Sequence, residues 1–298
     1  MKLVTYSPAA GGMPRPGLVV GGDRIADIAA NCAAPGVDFT SMLGIIRGGA
    51  AARAALDALA AKPPAATLAF TDVKLHAPIP RPAKNVFCVG WNYLEHFEEG
   101  AKKLQDNREL PKWPVFFSKA PTAVNGPYDA IPFDPEVSTS LDWEVELGVV
   151  LGTGGKNIRQ EDAMKHVWGY TAINDVTWRD IQRRHGGQWD KGKSLDGTCP
   201  MGPVLVTADS LDPDNLRVSC RVNGVTKQDS NTKFLYFKLP RLIADLSLGQ
   251  TLEPGDIIST GTPEGVGFAR NPPEFMKAGD LLETEVEGIG VLRNPIGT

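Results

Sequence analysis

Glycine and proline occur along the whole chain, and this distribution constrains its fold more than any other sequence feature. The 298 residues include 32 glycines and 24 prolines. Both residue types interrupt helices and favour turns, so many short strands are expected rather than a helical bundle. The predicted strands do not alternate regularly with helices, which argues against a parallel α/β sheet. The sequence therefore predicts a strand-dominated α+β fold.

The first 75 residues are predicted to form a small N-terminal α+β domain. The segment MKLVTY alternates like a strand, and GLVVGGDRIADIA reads as two strands around a Gly-Gly-Asp turn. Residues 41–62 are rich in alanine and favour one or two helices, with a break at Gly48–Gly49. The segment HAPIPRPAK (76–84) is rich in proline and reads as an extended connector. We therefore predict domains at 1–75 and 76–298.

Charge and hydropathy exclude several classes of function. The net charge is -4, which does not suit a nucleic-acid surface or an anionic membrane. No apolar run approaches the ~18 residues that span a bilayer, and the N-terminus lacks the apolar core of a secretory signal. A cytoplasmic location is therefore expected. The cysteines form no CxxC pair and match no zinc spacing, and they are predicted to be reduced, mostly buried thiols, namely Cys32, Cys88, Cys199 and Cys220.

Alternating carboxylates mark one predicted strand, LDWEVELGVVLG (141–152). Asp142, Glu144 and Glu146 are two residues apart, so they share one strand face, while Trp143 and its alternating apolar neighbours take the other. Such a row also occurs on solvent-exposed strands. If it is buried, it requires a compensating cation, and oxygen ligands suit Mg²⁺, Mn²⁺ or Ca²⁺. Asp175, at the end of a second predicted strand, is either a cap or a third ligand.

His96 lies in a helical segment that is rich in glutamate. If residues 93–99 are helical, His96 and Glu99 lie on one face, and the carboxylate can orient the ring as a general base. Glu95 and Glu98 remain alternative partners, and a solvated helical face is the simpler reading. The sequence contains no nucleophile-elbow motif, so a covalent serine mechanism is not expected.

Cationic and glycine-rich segments offer groups that bind anions. Arg179 and Gln182 follow Asp175, and Lys191 and Lys193 lie in KGKS. Such side chains suit a substrate carboxylate or an enolate oxygen, although each is also a common surface residue. The loop STGTPEGVG (259–267) exposes backbone N–H groups but lacks both nucleotide-binding glycine motifs.

Six segments in order resemble the fumarylacetoacetate hydrolase family over about residues 84–296. They are VGWNYLEH followed by Glu99, DWEVELGVVLG, GYTAINDVTWRDIQ, KGKSLDGTCPMGP, ISTGTPEGVG and PPEFMKAGDLLETEVEGIGVLRN. The resemblance implies a mixed β-roll of sandwich type with a variable N-terminal domain, and a homodimer. It implies that Glu144, Glu146 and Asp175 bind Mg²⁺ or Mn²⁺, with Asp142 outside the ligand set.

The same resemblance implies roles for the remaining residues. His96 and Glu99 would activate water on a mobile lid, and Lys193 would face the substrate. Residues expected around the substrate are Arg179, Gln182, Gly261 and Thr262.

The resemblance implies a metal-dependent enzyme that acts on a small keto acid. The leading hypothesis is hydrolysis of a C–C bond in an acylpyruvate-like or fumarylpyruvate-like β-diketo acid, with a metal-bound enolate as leaving group. The alternatives are an oxaloacetate decarboxylase, a keto–enol isomerase or a hydratase, and, from another class, a non-catalytic metal-binding or ligand-binding module. The basic run Arg183, Arg184 and His185 suggests a second carboxylate on the substrate. Two loops, at 97–112 and at 184–192, are expected to set the substrate specificity, and the basic run lies at the start of the second loop.

Overall fold

A computed structural model of the chain describes residues 1–9, 11–105, 107 and 109–297. Asp106 and Arg108, in the predicted specificity segment 97–112, lie outside the described residues. Strands greatly outnumber helices among the described residues, which confirms the strand-dominated α+β class.

The N-terminal part contains five strands and three helices. In chain order they are β1 (Lys2–Pro8), β2 (Arg15–Val20), β3 (Arg24–Asp27), α1 (Ile28–Asn31), α2 (Met42–Arg47), α3 (Gly49–Ala61), β4 (Leu68–Ala69) and β5 (Val73–His76). Helices α2 and α3 separate at Gly48–Gly49 as predicted, and Gly49 has a φ of +53°, which favours glycine.

After residue 76, the described residues form thirteen further strands and four α-helices, together with short 3-10 turns. In chain order they are β6 (Val86–Gly90), α4 (Leu94–Leu104), β7 (Val115–Lys119), β8 (Val124–Asn125), β9 (Leu141–Asp142), β10 (Val145–Leu151), β11 (Val167–Asn174), β12 (Thr177–Trp178), α5 (Arg179–Arg184), α6 (Asp190–Lys193), β13 (Cys199–Thr207), β14 (Arg217–Val222), β15 (Val225–Asn231), α7 (Leu239–Ser247), β16 (Ile257–Ser259), β17 (Leu281–Val286) and β18 (Gly290–Pro295).

The strands form one large mixed sheet and two smaller sheets. The large sheet has the order β4-β3-β2-β1-β13-β11-β10-β16-β6-β7, with β5 paired to β1 and β8 paired to β13. Most pairs are antiparallel, whereas β16–β6 and β13–β8 are parallel. A four-stranded sheet has the order β15-β14-β17-β18, and β12 pairs with β9. Strand β1 pairs directly with β13, so the N-terminal strands continue the large sheet; the domain boundary near residue 75 stays a prediction.

Strand β10 separates two environments by simple alternation. Val145, Leu147 and Val149 join a core that also contains Val218 of β14 and Leu282 of β17, so the large and four-stranded sheets pack face to face. The side chains between them point to the opposite face. Trp143 belongs to the same core, as the sequence predicted, and the glutamates at 144 and 146 are therefore directed away from it.

Two local features refine the sequence predictions. The Asn-Gly pair within RVNGVTKQ (221–228) predicts a tight hairpin. The Asn223–Gly224 turn joins β14 to β15, and both residues have positive φ values (+52° and +76°), as such a hairpin requires. The charged residues 100–114 read as a loop in the sequence, but helix α4 extends to Leu104, because its helical backbone ends only at Gln105, which is left-handed. Within the described residues, no helix is long and apolar enough to cross a membrane.

Candidate metal centre and substrate cavity

Three carboxylates meet at the junction of β10 and β11. Glu144 precedes β10, Glu146 lies within it, and Asp175 follows β11, whose residue Asn174 pairs with Val145. Oxygens of the three side chains all lie within 4.8 Å of one another, and their residues are 4%, 2% and 0% exposed. The alternation is therefore not a solvated strand face. Burial of several like charges at such distances is strongly unfavourable without compensating cations.

The side chain of Asn174 maintains this geometry where the β-ladder is interrupted. Its Oδ1 accepts a hydrogen bond from the Glu144 N–H at 2.9 Å, and its Nδ2 donates to Thr284 Oγ1 at 2.9 Å. The Asp175 N–H in turn donates to the Glu144 carbonyl at 2.9 Å. These hydrogen bonds join the backbone of Glu144 to Asn174 and Asp175. They therefore fix the positions of Glu144 and Asp175 relative to each other without a ligand.

Protein cations compensate two of the three carboxylates. Lys193 Nζ donates to Glu144 Oε2 and to Asp175 Oδ2, each at 2.7 Å. Arg179 Nη2 donates to Glu144 Oε1 at 2.6 Å, and Lys119 Nζ lies 2.9 Å from Asp175 Oδ1. The three cationic residues are at most 4% exposed, so these ion pairs are held away from water.

Among the described residues, Glu146 forms no ion pair with a lysine or arginine. Its Oε2 accepts hydrogen bonds from Ser259 Oγ at 2.6 Å and from the Gly261 N–H at 2.8 Å. Burial, followed by the charges of Asp175 and Glu144, raises the pKa of Glu146 well above its usual value. The pKa of Glu144, by contrast, is lowered to about 2, because Lys193 and Arg179 outweigh the effect of burial. The ionised form of Glu146 is thus disfavoured unless a further cation binds beside it.

A divalent cation fits this donor set. The triad offers only carboxylate oxygens, which are the ligands that Mg²⁺ and Mn²⁺ prefer. In the described part of the chain, the triad is the one group of three or more His, Cys, Asp or Glu side chains whose ligand atoms are close enough to share a metal ion. The raised pKa of Glu146 shows that the site would gain from additional positive charge.

His96 and Glu99 form a hydrogen-bonded pair beside the carboxylates. His96 Nδ1 lies 2.9 Å from Glu99 Oε1, and Glu99 Oε2 accepts a hydrogen bond from the Gly265 N–H at 2.9 Å. The loop after β16 thus fixes the carboxylate that orients the imidazole. In the described structure, neither Glu95 nor Glu98 forms a hydrogen bond with His96. Of the three glutamates that the sequence offered as partners of His96, the structure therefore selects Glu99.

A cavity of about 650 Å³ opens onto these groups. The predicted site residues that line it are His96, Glu144, Glu146, Arg179, Gln182, Lys193 and Thr262. Gly261 contributes differently, because its N–H is directed to Glu146. In the basic run that suggested a second carboxylate, Arg183 and Arg184 are both exposed, but Arg183 lines the cavity, whereas Arg184 lies outside the lining and pairs with Asp180 at 3.4 Å. His185 is exposed and is not part of the lining.

Three supporting residues were not identified from the sequence. Lys119 binds Asp175, Asn174 bonds the backbone of Glu144, and Gln228 donates from Nε2 to Thr262 Oγ1 at 2.8 Å. The sequence offered a sign only for Lys119, which ends the apolar run PVFFSK. A charged side chain at the end of a buried strand requires an oppositely charged partner. The other two are ordinary polar residues whose partners lie far away in the sequence.

Asp142 makes structural contacts beside the triad. Its Oδ2 accepts a hydrogen bond from Arg179 Nε at 2.7 Å, and its two oxygens accept from the N–H groups of Gly267 and Phe268 at 2.6 and 3.0 Å. It therefore holds Arg179 in place rather than joining the three clustered oxygens.

Comparison with known proteins identifies close relatives. The family model described as fumarylacetoacetate (FAA) hydrolase C-terminal matches residues 85–297. Oxaloacetate tautomerase YisK of Bacillus subtilis is 48% identical over 229 residues, covering 76% of this chain and 74% of the relative. The mitochondrial oxaloacetate tautomerase Fahd2a of Rattus norvegicus is 44% identical over 298 residues, covering 99% and 91%.

A solved structure connects this fold with a metal and a keto acid. The maleylpyruvate hydrolase of Sphingobium sp. SYK-6, in complex with manganese (II) ion and pyruvate, is 30% identical with a TM-score of 0.78. The match covers 100% of this chain and 99% of that protein.

Proposed function

Because the chain belongs to the fumarylacetoacetate hydrolase family, we propose that it is a tautomerase that interconverts the keto and enol forms of a short 2-keto dicarboxylic acid of the oxaloacetate type. The family is one of metal-dependent enzymes, so the chain is an enzyme and not the non-catalytic module that the sequence left open. The observation that carries the proposal is that His96, paired with Glu99, lines the same cavity as Glu144 and Glu146 of the carboxylate triad. The identity to two oxaloacetate tautomerases supports the choice of reaction.

The proposed metal ligands are Glu144, Glu146 and Asp175, with Mg²⁺ or Mn²⁺ as the cation. The maleylpyruvate hydrolase structure in complex with manganese (II) ion and pyruvate supports this assignment. When bound, the cation would supply Lewis-acid polarisation of the 2-keto group, which acidifies the neighbouring C3–H. Oxygen-only ligands accept either ion, so the choice between them is a matter for experiment.

His96 is proposed to move the proton. Tautomerisation requires that a proton leave C3 and that a proton arrive on the C2 oxygen, with no change in oxidation state. The imidazole of His96 is suited to carry it, since Glu99 orients the ring and stabilises its charged form. Glu99 itself accepts a hydrogen bond from the Gly265 N–H, which fixes the orientation of its carboxylate toward the His96 ring.

Two cations are proposed to stabilise the enolate. Lys193 and Arg179 both line the cavity and are fixed by Glu144, so their positive charges are already in place. Gln182 and Thr262, also in the lining, are proposed to orient the substrate by hydrogen bonds.

Arg183 is proposed to bind the second carboxylate of the substrate. Its guanidinium lies over the Phe268 ring, 4.5 Å from the centroid, and it lines the cavity. In the described part of the chain no carboxylate forms an ion pair with it, in contrast to Arg179 and Arg184. A cation that faces a substrate cavity without an internal partner suits a dicarboxylate.

A C–C bond hydrolase is the second candidate. The same His96–Glu99 pair can take a proton from water instead of from carbon, and the solved maleylpyruvate hydrolase shares the fold over the full chain. In that reaction the attacked substrate yields pyruvate and a second acid, whereas a tautomerase releases no fragment. Decarboxylation of oxaloacetate would release CO₂ with pyruvate alone.

The decisive experiment follows decay of the oxaloacetate enol by its ultraviolet absorbance, with Mg²⁺, Mn²⁺ or excess chelator. Pyruvate formation is measured in parallel, and maleylpyruvate serves as a second substrate. We expect metal-dependent enol decay without pyruvate. His96→Asn is expected to reduce the rate about 10²–10⁴-fold, whereas Glu98→Gln, on the exposed face of the same helix, retains it. Pyruvate release from maleylpyruvate at a higher rate than enol decay would favour the hydrolase instead.

A further inference from the structure

One side of the substrate cavity is more extensive than a four-carbon keto diacid requires. The volume of about 650 Å³ falls within the range of pockets that bury much larger ligands, roughly 300–1,000 Å³. The carboxylates and their cations occupy the inner, polar end. Away from them the lining is apolar and comes from α4 and β7, including Gly100, Ala101, Leu104 and Val115.

Four aromatic rings form a continuous wall along this apolar side. In spatial order the rings are those of Phe97, Trp91, Trp189 and Phe117, and all four residues line the cavity. Adjacent centroids are 6.1, 4.9 and 5.2 Å apart, and the ring planes meet at 70–83°. Edge-to-face contacts of this kind hold rings in place while leaving surface for another flat group. We call these four residues the aromatic wall.

The backbone is adapted to place this wall. Gly90 ends β6, and a Cβ atom there would lie only 2.4 Å from the Trp189 ring, so the indole occupies space that a side chain would fill. The next residue, Trp91, has a φ of +54°, a left-handed conformation that is costly for a bulky side chain. Both features serve to bring two indoles together at the cavity.

The aromatic wall leads directly to the proposed reaction centre. Lys193 Nζ, which bonds Glu144 and Asp175, lies 5.1 Å from the centroid of the Phe117 ring. A ligand whose keto acid reaches the metal ligands can therefore place a substituent on C3 against the wall. The four side chains of the aromatic wall are themselves uncharged, and Lys193 is already paired with Glu144 and Asp175, so this substituent is expected to be flat and uncharged.

We propose that the aromatic wall binds an aryl substituent on C3 of a 2-keto acid, so that the same centre also tautomerises arylpyruvates. This inference rests on the proposed tautomerase activity for its chemistry. The step is balanced: a proton leaves C3, a proton reaches the C2 oxygen, and the resulting enol is conjugated with the aryl ring. No oxidant or other reactant is required.

The binding test compares pyruvate with phenylpyruvate, which differ only in the phenyl group. Dissociation constants are measured by calorimetry on the Mn²⁺-saturated protein. We expect phenylpyruvate to bind at least about tenfold more tightly. Trp189→Ala should reduce this ratio to near one while the affinity for pyruvate is retained. The matched control, Trp113→Ala, should keep the ratio, because Trp113 is 64% exposed and packs on Arg241 outside the cavity.

A second variant keeps the test valid if Trp189→Ala does not fold. Gly100 is helical and lines the cavity, and a Cβ atom there would meet only Phe268, at 3.9 Å. Gly100→Leu should therefore fold and fill the apolar end, which excludes phenylpyruvate but admits pyruvate. Equal affinity of wild type for the two acids, or a ratio that the Trp189 and Gly100 variants both leave unchanged, would overturn the proposal.

The activity test separates this inference from the proposed function. Decay of the phenylpyruvate enol is followed beside that of the oxaloacetate enol. Turnover of both, with selective loss of phenylpyruvate turnover in Gly100→Leu, supports the proposal. If phenylpyruvate binds at the wall but neither enol is turned over, the tautomerase fails and the arylpyruvate activity fails with it, while the wall remains a binding site. If only oxaloacetate is turned over, the inference alone is wrong.

Discussion

Glu146 is the carboxylate at which the charges of the centre do not balance. Lys193, Arg179 and Lys119 pair with the other members of the triad. From the residues that the structure describes, Glu146 receives hydrogen bonds of Ser259 and Gly261 but no ion pair. Its raised pKa means that it holds a proton up to a higher pH than a free glutamate does. A metal ion binds the ionised carboxylate, so metal binding must displace this proton.

Metal affinity is therefore expected to depend on pH. Above the raised pKa of Glu146 the carboxylate is charged and the affinity for Mn²⁺ is constant. As the pH falls through that pKa, the affinity should weaken by up to about tenfold per pH unit, because one proton competes with the ion. Calorimetry in two buffers of different ionisation enthalpy measures the protons released. Release of no proton near the midpoint would contradict the assignment of Glu146 as a ligand.

Lys119 is expected to stabilise the fold and the centre together. It is fully buried, pairs with Asp175, and donates to the backbone carbonyls of Val176 and Lys193. Lys119→Met leaves a buried carboxylate oxygen unpaired, which should cost about 3–5 kcal/mol in chelated protein. Saturating Mn²⁺ should restore part of this loss.

Denaturant unfolding with and without metal measures both effects of Lys119→Met. The control is Lys165→Met, whose side chain is 77% exposed and pairs with Asp162. That variant should change the free energy of unfolding by at most about 1 kcal/mol. A loss in Lys119→Met that metal does not reduce would assign Lys119 to the fold alone.

Arg183 is predicted to set preference for a second carboxylate. Arg183→Gln should weaken oxaloacetate binding about tenfold or more and leave pyruvate binding unchanged, because only oxaloacetate carries the distal carboxylate. The matched control is Arg184→Gln, which removes the same charge from an exposed position outside the cavity. If both variants weaken oxaloacetate equally, general charge attraction explains the effect and Arg183 has no specific role.

At the scale of elements, the four-stranded sheet reaches across the core to support the site. Gln228 of β15 accepts a hydrogen bond from the Val145 N–H at 3.0 Å and donates to Thr262 and to the Pro263 carbonyl. It thereby connects the start of β10, which carries the carboxylates, to the loop after β16. The side chain is buried, so its partners have no access to water.

Gln228→Leu is predicted to destabilise the protein by about 1–3 kcal/mol, because it leaves buried backbone groups unpaired while keeping the volume. Exposed Gln250→Leu is the control. Denaturant unfolding measures the change, and metal titration should show weaker Mn²⁺ binding in Gln228→Leu only. Unchanged metal binding would mean that β15 does not help to position the centre.

Sequence patterns predicted turns that depend on one or two residues more accurately than they predicted the bounds of longer elements. The Asn223–Gly224 hairpin and the break between α2 and α3 depend on glycine conformation, and both were found where expected. The segment FLYFKLPRLIADLSLG (234–249) reads in the sequence as a helix ending near Gly249, with a possible break at Pro240. Helix α7 spans only Leu239–Ser247, since Pro240 fits the first turn of a helix and marks its start rather than a break. The rest of the segment 234–249, on either side of α7, is not α-helical.

At the scale of the whole molecule, the N-terminal segment and the remainder share both a sheet and a core. Strand β1 pairs with β13, and Leu3, Leu18 and Ile45 belong to the same buried cluster as Val150 and Ile173. Removal of the N-terminal segment would leave the edge of β13 unpaired and this cluster open to water. The homodimer and the cytoplasmic location stay predictions.

Deletion of residues 1–75 is therefore expected to abolish cooperative folding of the remaining chain. Expression yield, near-ultraviolet circular dichroism and thermal unfolding of the 76–298 fragment test this expectation against the full chain. A fragment that unfolds cooperatively and binds Mn²⁺ as tightly as the full chain would establish the predicted domain boundary as a folding boundary.

The sequence by itself determined the features that depend on neighbouring residues. Alternation put Glu144 and Glu146 on one strand face opposite Trp143, and helical spacing brought Glu99 to His96. The tertiary structure decided which of these charges are buried and which cations reach them. Lys119 and Asp175 are far apart in sequence, and their contact depends on how β7 and β11 pack. Burial and long-range pairing are properties of the folded chain, because desolvation and Coulomb energies depend on distances that local sequence does not specify.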